Sequence, residues 1–329
     1  MTRARTARAV VRLPLLLGAT LALVVGLTAS PASGATPPPV PAPGPTAPPP
    51  RPAPPVPPIP SAPFRVTISP SNGTTIGVAY PITAAFSAPV VDRATVEHHM
   101  HVYLNGGFAK GAWYWRDSTT ALFRLPAFWP GHSTIEVRLT LAGVEVARGP
   151  NLRIVGDAST TRTHTIRTGR ALVVHVDGIK DRFTVAIDGK VVEVFKTSLG
   201  KPGYETRSGI KAVMEKYTVR HMTSIAAGIT DPKDQYDLQV PWAVRITPTG
   251  EFIHGAPWAT ARLGRYNGSH GCTNLSAADA KWFFDHVIPG DAIVTTGTPR
   301  AMEYWNGLGA PYNMPWALWL AHSATKGAS

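Results

Sequence analysis

Residues 269–274 read Ser-His-Gly-Cys-Thr-Asn, and they include Cys272, the only cysteine in this chain of 329 residues. A second histidine-containing run, Phe-Ile-His-Gly-Ala-Pro-Trp, occupies residues 252–258. A lone cysteine cannot form an internal disulfide, and in an exported chain it is either paired with another molecule or chemically reactive. Because histidines and small residues surround this thiol, the pattern favours a cysteine nucleophile on a short turn.

The residues that follow the cysteine predict a helix. Ser276 is a suitable N-cap, and Asp279 stands three residues later at the spacing of a capping box. Apolar residues then recur on one helical face, at Ala280, Phe283, Phe284 and Val287. Cys272 is therefore expected on a turn that leads into this helix, whose partially positive N-terminus favours a thiolate over a thiol.

Strand and turn signals surround the cysteine run. Asp188-Gly189 is a strong hairpin signal, and the hairpin that ends near residue 254 delivers His254 at the end of a strand. Apolar or alternating segments predict strands at 171–176, 182–187, 190–195, 242–246 and 251–254. Upstream, residues 64–157 contain about seven short strands between turns, which indicates an immunoglobulin-like β-sandwich. The predicted fold class is mainly β, with a sandwich followed by a β-rich domain that has one main helix.

The N-terminus has the three parts of a secretory signal. Four arginines up to residue 12 precede an apolar segment at 13–27, and small residues follow at 29–35. The apolar segment is shorter than the about 20 residues of a membrane span, which favours a cleaved signal peptide at 1–35 over an uncleaved anchor. The absence of a cysteine near residue 35 excludes a lipoprotein anchor. The expected location is the cell wall or a periplasm-like space, with membrane attachment only if the signal is retained.

Residues 36–63 are rich in proline, which favours an extended polyproline conformation and a spacer between membrane and wall. The alternative is a passive disordered tail. The net charge of +12 at pH 7 favours an anionic environment such as a wall polymer or a membrane surface. Nucleic acid is not an expected partner, because the chain carries an export signal and no clustered Lys/Arg run.

The two histidines define the chemistry expected of the thiol. A thiol is only a few per cent ionised at neutral pH and needs a base. His254, on a separate strand, is the expected base, and His270 is an orienting or anion-stabilising partner. The backbone N–H groups of Gly271 and Cys272 are expected to face a developing oxyanion. A backbone carbonyl, that of Gly255, is the expected partner of the other ring nitrogen of His254.

Each of these residues also has a simpler interpretation. A lone cysteine is commonly a small buried apolar group. The simpler interpretation of His254 is a core histidine whose ring nitrogens are hydrogen-bonded. Two histidines and a cysteine would suit zinc, but a fourth ligand at suitable spacing is missing. His98, His99 and His101 suit a solvated strand edge better than a metal site. The combination in an exported chain favours catalysis, with no metal and no cofactor.

The runs at 252–258 and 269–274 closely resemble the signature of L,D-transpeptidases with a YkuD-type catalytic domain. The resemblance covers roughly residues 158–298. The sandwich at 64–157 looks like the immunoglobulin-like module of actinobacterial members, and the tryptophan-rich residues 299–329 are similar to their C-terminal extension. The large apolar groups of this extension, Trp305, Trp316 and Trp319, are expected to bury against a domain face, so that deletion of residues 299–329 destabilises the catalytic domain.

The resemblance implies a reaction on peptidoglycan stem peptides. Family members cross-link the third residues of neighbouring stems, usually diaminopimelate. The cysteine attacks a donor tetrapeptide and expels the terminal D-alanine, and the side-chain amine of an acceptor stem resolves the thioester. Carbapenems are the implied inhibitors. Two alternatives remain open, an L,D-carboxypeptidase that uses water as acceptor and a non-catalytic cell-wall-binding protein.

The resemblance also assigns roles to residues. Cys272 is the nucleophile and His254 the base, and His270, counted with them as catalytic, shapes the site together with Gly271 and Asn274. Residues 223–241 match a lid over the donor pocket. The residues implied to bind substrate or stabilise the oxyanion are Ser269, Gly271, Asn274, Tyr236, Gly255 and Trp258. Gly255 departs from the family pattern, because relatives often have serine there.

Overall fold

The computed structural model describes residue 44 and residues 57–327. The predicted signal peptide at 1–35 and most of the predicted spacer at 36–63 lie outside the described residues. The first strand, β1 (Ser61–Phe64), begins within the stretch assigned to the spacer. In the described part of the chain, no helix has the length and apolarity needed to cross a membrane.

A β-sandwich forms the first half of the described chain. Its core contains large aromatic and aliphatic side chains, among them Phe64, Trp113 and Trp129. After β1, its strands are β2 (Val66–Ser69), β3 (Thr75–Ile76), β4 (Ile82–Phe86), β5 (Met100–Leu104), β6 (Gly107–Phe108), β7 (Ala112–Trp115), β8 (Thr120–Arg124), β9 (Thr134–Thr140), β10 (Glu145–Arg148), β11 (Arg153–Gly156) and β12 (Thr161–Thr168), with helix α1 (Arg93–Glu97) before β5.

These strands form three sheets, in the orders β2-β4-β8-β7, β3-β12-β9-β5-β6 and β1-β11-β10. The apolar residues alternate toward the core, as in the buried–exposed pattern of β4, because successive strand residues point to opposite faces. Strand β12 follows the predicted boundary at residue 157 and yet pairs antiparallel with β9, so the sheets of the sandwich run to Thr168. The predicted immunoglobulin-like sandwich is confirmed.

The second half has two further sheets packed around one helix. Its strands are β13 (Leu172–Asp177), β14 (Arg182–Ile187), β15 (Lys190–Lys196), β16 (Gly209–Ala212), β17 (Glu215–Thr223), β18 (Asp237–Arg245), β19 (Phe252–Gly255), β20 (Thr273–Leu275) and β21 (Ala292–Thr296), and its helices are α2 (Ala277–His286) and α3 (Trp316–Ala321). The sheet orders are β15-β14-β13-β21-β16 and β17-β18-β19-β20. Their facing apolar sides share one core with α2.

Helix α2 is the predicted main helix. The hydroxyl of Ser276 accepts a hydrogen bond from the Asp279 N–H at 3.1 Å, as the capping pattern predicts. Ala280 and Phe283 are buried in the core. The three-residue strand β20 lies between Cys272 and this helix, so the cysteine is not at the helix N-terminus. The helix dipole acts within the first turn, so it does not reach this thiol along the chain.

The sandwich and the β-rich domain are joined by backbone and side-chain contacts. The N–H groups of Gly77 and Ala79 donate to the carbonyls of Pro289 and Gly290, each at 2.8 Å. A Cβ on Gly77 would lie 2.0 Å from the Asp291 nitrogen, so only glycine permits this approach. A small apolar cluster buries the same junction, with Val78, Ala79, Ala212, Ala292 and Tyr312.

The C-terminal tail contacts both domains. Residues 301–313 lie against the catalytic domain, where the Asn313 amide donates to the Ile210 carbonyl at 2.8 Å, whereas Trp319 packs on the sandwich. Trp319 is buried, and its Nε1 donates to the Ala112 carbonyl at 2.9 Å. Its ring stacks on Tyr114 with centroids 4.6 Å apart, and the Arg124 guanidinium lies 4.4 Å from the ring centroid. Trp305, by contrast, is 68% exposed. Sequence shows that these residues are large and apolar but not which domain they meet.

The last described residues satisfy a buried carboxylate of the sandwich. Glu97 is fully buried and accepts a hydrogen bond from Trp115 Nε1 at 2.7 Å. The Ser323 hydroxyl, the Ala324 N–H and the Thr325 N–H donate to the same carboxylate at 2.9, 2.8 and 3.0 Å. Because a buried charge is tolerated only when it is well hydrogen-bonded, the tail is part of the sandwich's structure.

Trp319→Ala is expected to destabilise the protein by about 3–5 kcal/mol, the usual cost of truncating a buried aromatic residue. Thermal melting of the purified chain measures this. Trp305→Ala is the matched control and should leave the melting temperature almost unchanged, because this ring is mostly exposed. Equal losses in the two variants would contradict the packing described for the tail.

Candidate active site

One pocket of about 790 Å³ gathers the predicted site residues. It lies beside strands β19 and β20, between the turn at 268–272 and the segment that joins β17 to β18. Of the residues singled out from the sequence, all but Gly255 line it: His254, Trp258, Ser269, His270, Gly271, Cys272, Asn274 and Tyr236. Residues 222–231 cover one side of the pocket, at the position expected for a lid.

Strand pairing places the histidine and the thiol on the same face. Strands β19 and β20 are parallel, with Ile253 opposite Thr273 and His254 opposite Asn274. Side chains alternate along each strand. His254 follows Ile253 and Cys272 precedes Thr273, so both face the pocket. Leu275 and Ile253 point the other way and enter the core. The alternation thus separates core-forming residues from chemically active ones.

His254 is buried and held by its own strand. Its Nδ1 lies 3.0 Å from the carbonyl oxygen of Gly255, and since a carbonyl only accepts, Nδ1 carries the hydrogen. Nε2 is then left with a lone pair. Burial lowers the pKa of His254 to about 4, and the Gly255 carbonyl opposes this shift. The imidazole is therefore neutral at physiological pH and able to accept a proton.

Gly255 contributes through its backbone. A Cβ at this position would lie 3.2 Å from the Pro241 Cγ and 3.3 Å from the Ala277 Cα. Both distances are tighter than ordinary van der Waals contact, so a serine would force the neighbouring strand or helix to shift. This packing accounts for a glycine at this position. The carbonyl of Gly255 orients His254 without any side-chain hydroxyl.

The Cys272 thiol is partly exposed to the pocket, and its sulfur lies close to backbone atoms. Sγ is 3.9 Å from the carbonyl oxygen of Gly250. Burial is the main effect that raises the pKa of the thiol, to about 12, while the Phe252 N–H lowers it and the Glu251 carboxylate raises it further. The expectation of a thiolate favoured by a helix N-terminus is therefore wrong for the free protein. Thiol and imidazole are both neutral before substrate arrives.

The turn before the cysteine is stabilised by Ser269. The Ser269 hydroxyl donates to the Cys272 carbonyl at 2.6 Å and accepts from the Gly271 N–H at 3.1 Å. The Gly271 N–H is therefore engaged within the turn, which contradicts its expected role as an oxyanion donor. Gly271 has a φ of 116°, a conformation that residues with a Cβ rarely adopt. Glycine is required here by the turn.

His270 lies between two tyrosines and faces the lid. Its ring centroid is 4.8 Å from that of Tyr204 and 5.1 Å from that of Tyr236. Its Nε2 is 3.4 Å from a carboxylate oxygen of Asp234, which also bonds Lys201. Burial lowers the pKa of His270, and Asp234 opposes this. His270 thus connects the turn to the lid.

The remaining predicted residues occupy the rim and floor of the pocket. The Trp258 ring lies 6.1 Å from that of His254 and is partly exposed. Asn274 is buried, and its main-chain N–H donates to the Ser198 carbonyl at 2.9 Å. Residues 57–327 contain no group of three or more His, Cys, Asp or Glu arranged to hold a metal ion.

Several residues near the site are not evident from the sequence. Lys201 and Tyr204 belong to a polar, turn-rich stretch without a recognisable motif, yet they contact Asp234 and His270. Arg207 and Lys211 form ion pairs with Glu251, immediately before β19. The only sequence signal for Glu251 is its place in the hairpin that delivers His254.

Comparison with known proteins agrees with this geometry. The family model of the L,D-transpeptidase catalytic domain, YkuD, matches residues 171–295, and that of a bacterial Ig domain matches residues 58–145. Probable L,D-transpeptidase 3 of Mycobacterium tuberculosis is 33% identical over 243 residues, which cover 69% of this chain and 84% of that protein. L,D-transpeptidase 2 of the same species is 31% identical over 269 residues, or 80% of this chain, and the match spans 64% of that relative's length.

A solved structure shows the same likeness in three dimensions. An L,D-transpeptidase in complex with imipenem superposes with a TM-score of 0.59 at 32% identity. The match covers 73% of this chain and 100% of the solved chain. Taken with the pocket that holds Cys272 and His254, and with the match to a bacterial Ig domain, these similarities show that the chain belongs to the L,D-transpeptidase family.

Proposed function

We propose that this protein is a peptidoglycan L,D-transpeptidase that acts through a Cys272 thioester. The observation that carries the proposal is the pairing of β19 with β20, which sets His254 and Cys272 on one face of an open pocket. A neutral imidazole whose Nε2 carries a lone pair, on the same face of the pocket as a protonated thiol, is suited to general-base activation of the nucleophile.

The first half-reaction forms the thioester. Sγ of Cys272 attacks the carbonyl carbon of the third residue of a donor tetrapeptide, and the thiol proton passes to Nε2 of His254. The Cys272 N–H stabilises the oxyanion, since that of Gly271 is engaged by Ser269. The tetrahedral intermediate then breaks its C–N bond, and His254 returns the proton to the departing amine of D-alanine.

The second half-reaction transfers the acyl group. The side-chain amine of an acceptor stem attacks the thioester carbonyl and loses a proton to His254. The C–S bond breaks, and the protonated His254 restores the thiol. The Lys201–Asp234 contact joins the lid to the loop before β16. Attack by water in place of the acceptor amine would give an L,D-carboxypeptidase instead.

The proposed setting is outside the cytoplasm. Residues 1–35 serve as an export signal and residues 36–63 as a spacer, so the sandwich and the catalytic domain work at the peptidoglycan. The substrates are donor and acceptor stem peptides, and no cofactor takes part. Because one relative is solved with imipenem, carbapenems are proposed to acylate Cys272 in this chain as well.

To test the proposal, the protein that lacks its signal segment is incubated with a purified tetrapeptide muropeptide. A transpeptidase produces cross-linked dimers and one D-alanine per link, measured by mass spectrometry. Tripeptide monomers without dimers would identify a carboxypeptidase. Unchanged substrate, together with no imipenem adduct, would indicate a wall-binding protein and overturn the proposal.

A further inference from the structure

Arginines predominate among the charged side chains that line the active-site pocket. Besides histidines, the described part of the chain contributes five arginines and two carboxylates to its walls: Arg207, Arg220, Arg245, Arg262, Arg300, Asp231 and Glu251. A cleft whose charges are mostly of one sign attracts ligands of the opposite sign. The pocket is therefore suited to a substrate that carries negative charge near its reacting atoms.

Three of the five arginines contact other parts of the catalytic domain. The Arg262 Nη1 donates to the Gly268 carbonyl at 2.9 Å, and the Arg245 Nη1 lies 3.4 Å from the Glu215 carboxylate. The Arg220 guanidinium lies over a tyrosine ring of its own strand, β17, 4.9 Å from the ring centroid. The two remaining arginines lie together.

Arg207 is buried and yet presents one nitrogen to the pocket. Its side chain is held by two carboxylates, because Nη1 donates to Glu251 at 2.9 Å and Nε donates to Glu303 at 2.7 Å. Its Nη2 donates to no acceptor among the described residues, and this nitrogen is not buried. Since Arg207 is only 7% exposed and lines the pocket, Nη2 is a fixed donor that faces a ligand there.

Arg300 lies beside Arg207 at the same rim. The Ser208 N–H donates to the Arg300 carbonyl at 2.7 Å. The Arg300 Nη2 lies 3.9 Å from one oxygen of Glu303, the carboxylate whose other oxygen accepts from Arg207. The Arg300 side chain is 45% exposed, so it is able to turn toward a ligand. Two guanidinium groups with unused donors therefore stand next to each other.

This arginine pair lies next to the reactive sulfur. The Arg207 main-chain N–H donates to the Glu251 carboxylate at 3.0 Å, and the carbonyl oxygen of the preceding residue, Gly250, is 3.9 Å from Sγ. The lid instead meets the turn at His270, whose ring centroid is 5.1 Å from that of Tyr236. Because the lid covers the donor in the proposed function, the side with the arginine pair is left for the acceptor.

We propose that Arg207 and Arg300 bind a carboxylate of the acceptor stem. They would thereby select acceptors in which the attacking amine and a free carboxylate share one carbon, and hold that amine near the thioester. The side-chain end of diaminopimelate has this structure, whereas lysine lacks the carboxylate and amidated diaminopimelate lacks its charge. Arginine binds carboxylates through two parallel N–H···O bonds, and a site built for a polar group rejects analogues without it. The inference rests on the proposed function and names its acceptor.

The test compares three acceptor tripeptides in reactions of the full chain. They end in diaminopimelate, in diaminopimelate with its side-chain carboxylate amidated, or in lysine. A tripeptide has no terminal D-alanine to expel, so it acts only as acceptor. The donor is a tetrapeptide whose side-chain amine is acetylated, so it acts only as donor. Mass spectrometry of the mixed dimers gives KM and kcat for each acceptor.

The acceptor with the free carboxylate should have a KM about tenfold lower than the other two, as expected for hydrogen bonds to a charged group. Arg300→Met should raise this KM about tenfold and leave the other two nearly unchanged. Arg207→Lys should also weaken the preference, because an ammonium keeps the charge without the fork of donors. Arg182→Met, which removes an exposed arginine of β14, is the matched control and should keep the full preference.

Equal KM values for the three acceptors in the wild-type chain would overturn the inference. Equal losses for all three in Arg300→Met would also overturn it, because a merely structural role affects every acceptor alike. Acylation by imipenem reports the first half-reaction and should be unchanged in Arg300→Met. If Arg207→Lys does not fold, Arg300→Met decides alone.

Failure of the proposed function gives a different result. If the wild-type chain forms no dimers with any acceptor, calorimetric titration of the same chain with the three tripeptides decides the inference without turnover. Tighter binding of the free-carboxylate tripeptide, lost in Arg300→Met, would support the carboxylate site. Equal binding of the free and amidated tripeptides, or no binding of either, would overturn it.

Discussion

Cys272→Ala is expected to abolish acylation by imipenem and the formation of cross-linked dimers. No other cysteine exists to replace the nucleophile, and removing a member of a catalytic pair typically costs several orders of magnitude in rate. Intact-mass analysis should show one adduct on the wild-type protein, mapped to the peptide that contains Cys272, and none on the variant.

The fold should survive this substitution. The thiol is only partly buried, and its one contact with a protein acceptor is the long one to the Gly250 carbonyl. Cooperative melting near the wild-type temperature is the control. An imipenem adduct on a folded Cys272→Ala variant would show that another residue carries the chemistry.

His254→Ala is expected to slow acylation about 10²- to 10⁴-fold, the usual contribution of a positioned general base. The thiol of this protein needs that base, because burial raises the pKa of Cys272 to about 12. Stopped-flow or mass-resolved acylation rates with imipenem measure the loss. His175→Ala, on the exposed face of β13, is a matched control and should acylate at the wild-type rate.

The same base predicts the acid limb of the wild-type pH profile. Because burial lowers the pKa of His254 to about 4, the neutral imidazole persists well below the ordinary histidine pKa of about 6.5. Acylation should therefore decline only as the pH falls toward 4. A limb near pH 6.5 that disappears in His254→Ala would mean that the imidazole is solvated in the working enzyme.

The parts of the fold that depend on local periodicity are predictable from the sequence. Alternation predicts β14 with the bounds that the structure has, and the cap at Ser276 predicts the start of α2. The expected bond between His254 and the Gly255 carbonyl is also present, because it joins neighbouring residues. Local chemistry of this kind requires no knowledge of distant parts of the chain.

Features that depend on tertiary contacts were not predictable. Lys211 occupies a short strand segment, Gly-Ile-Lys-Ala, in which a lysine normally indicates exposure, yet it is fully buried. The pKa of Cys272 depends on burial by distant segments, which outweighs the effect assumed for a helix N-terminus. The Ser269 hydroxyl likewise accepts a hydrogen bond from the Gly271 N–H, in a turn geometry that the sequence permits but does not require.

The tail that satisfies Glu97 has a consequence for the order of folding. Glu97 and its donors Ser323 and Thr325 lie more than 200 positions apart in the chain. Contacts at such separation form late, because loop closure must precede them. The sandwich precedes the catalytic domain in the chain, but its packing is incomplete until residues 319–325 are in place. A chain truncated before residue 319 would therefore expose the apolar site on the sandwich that Trp319 covers.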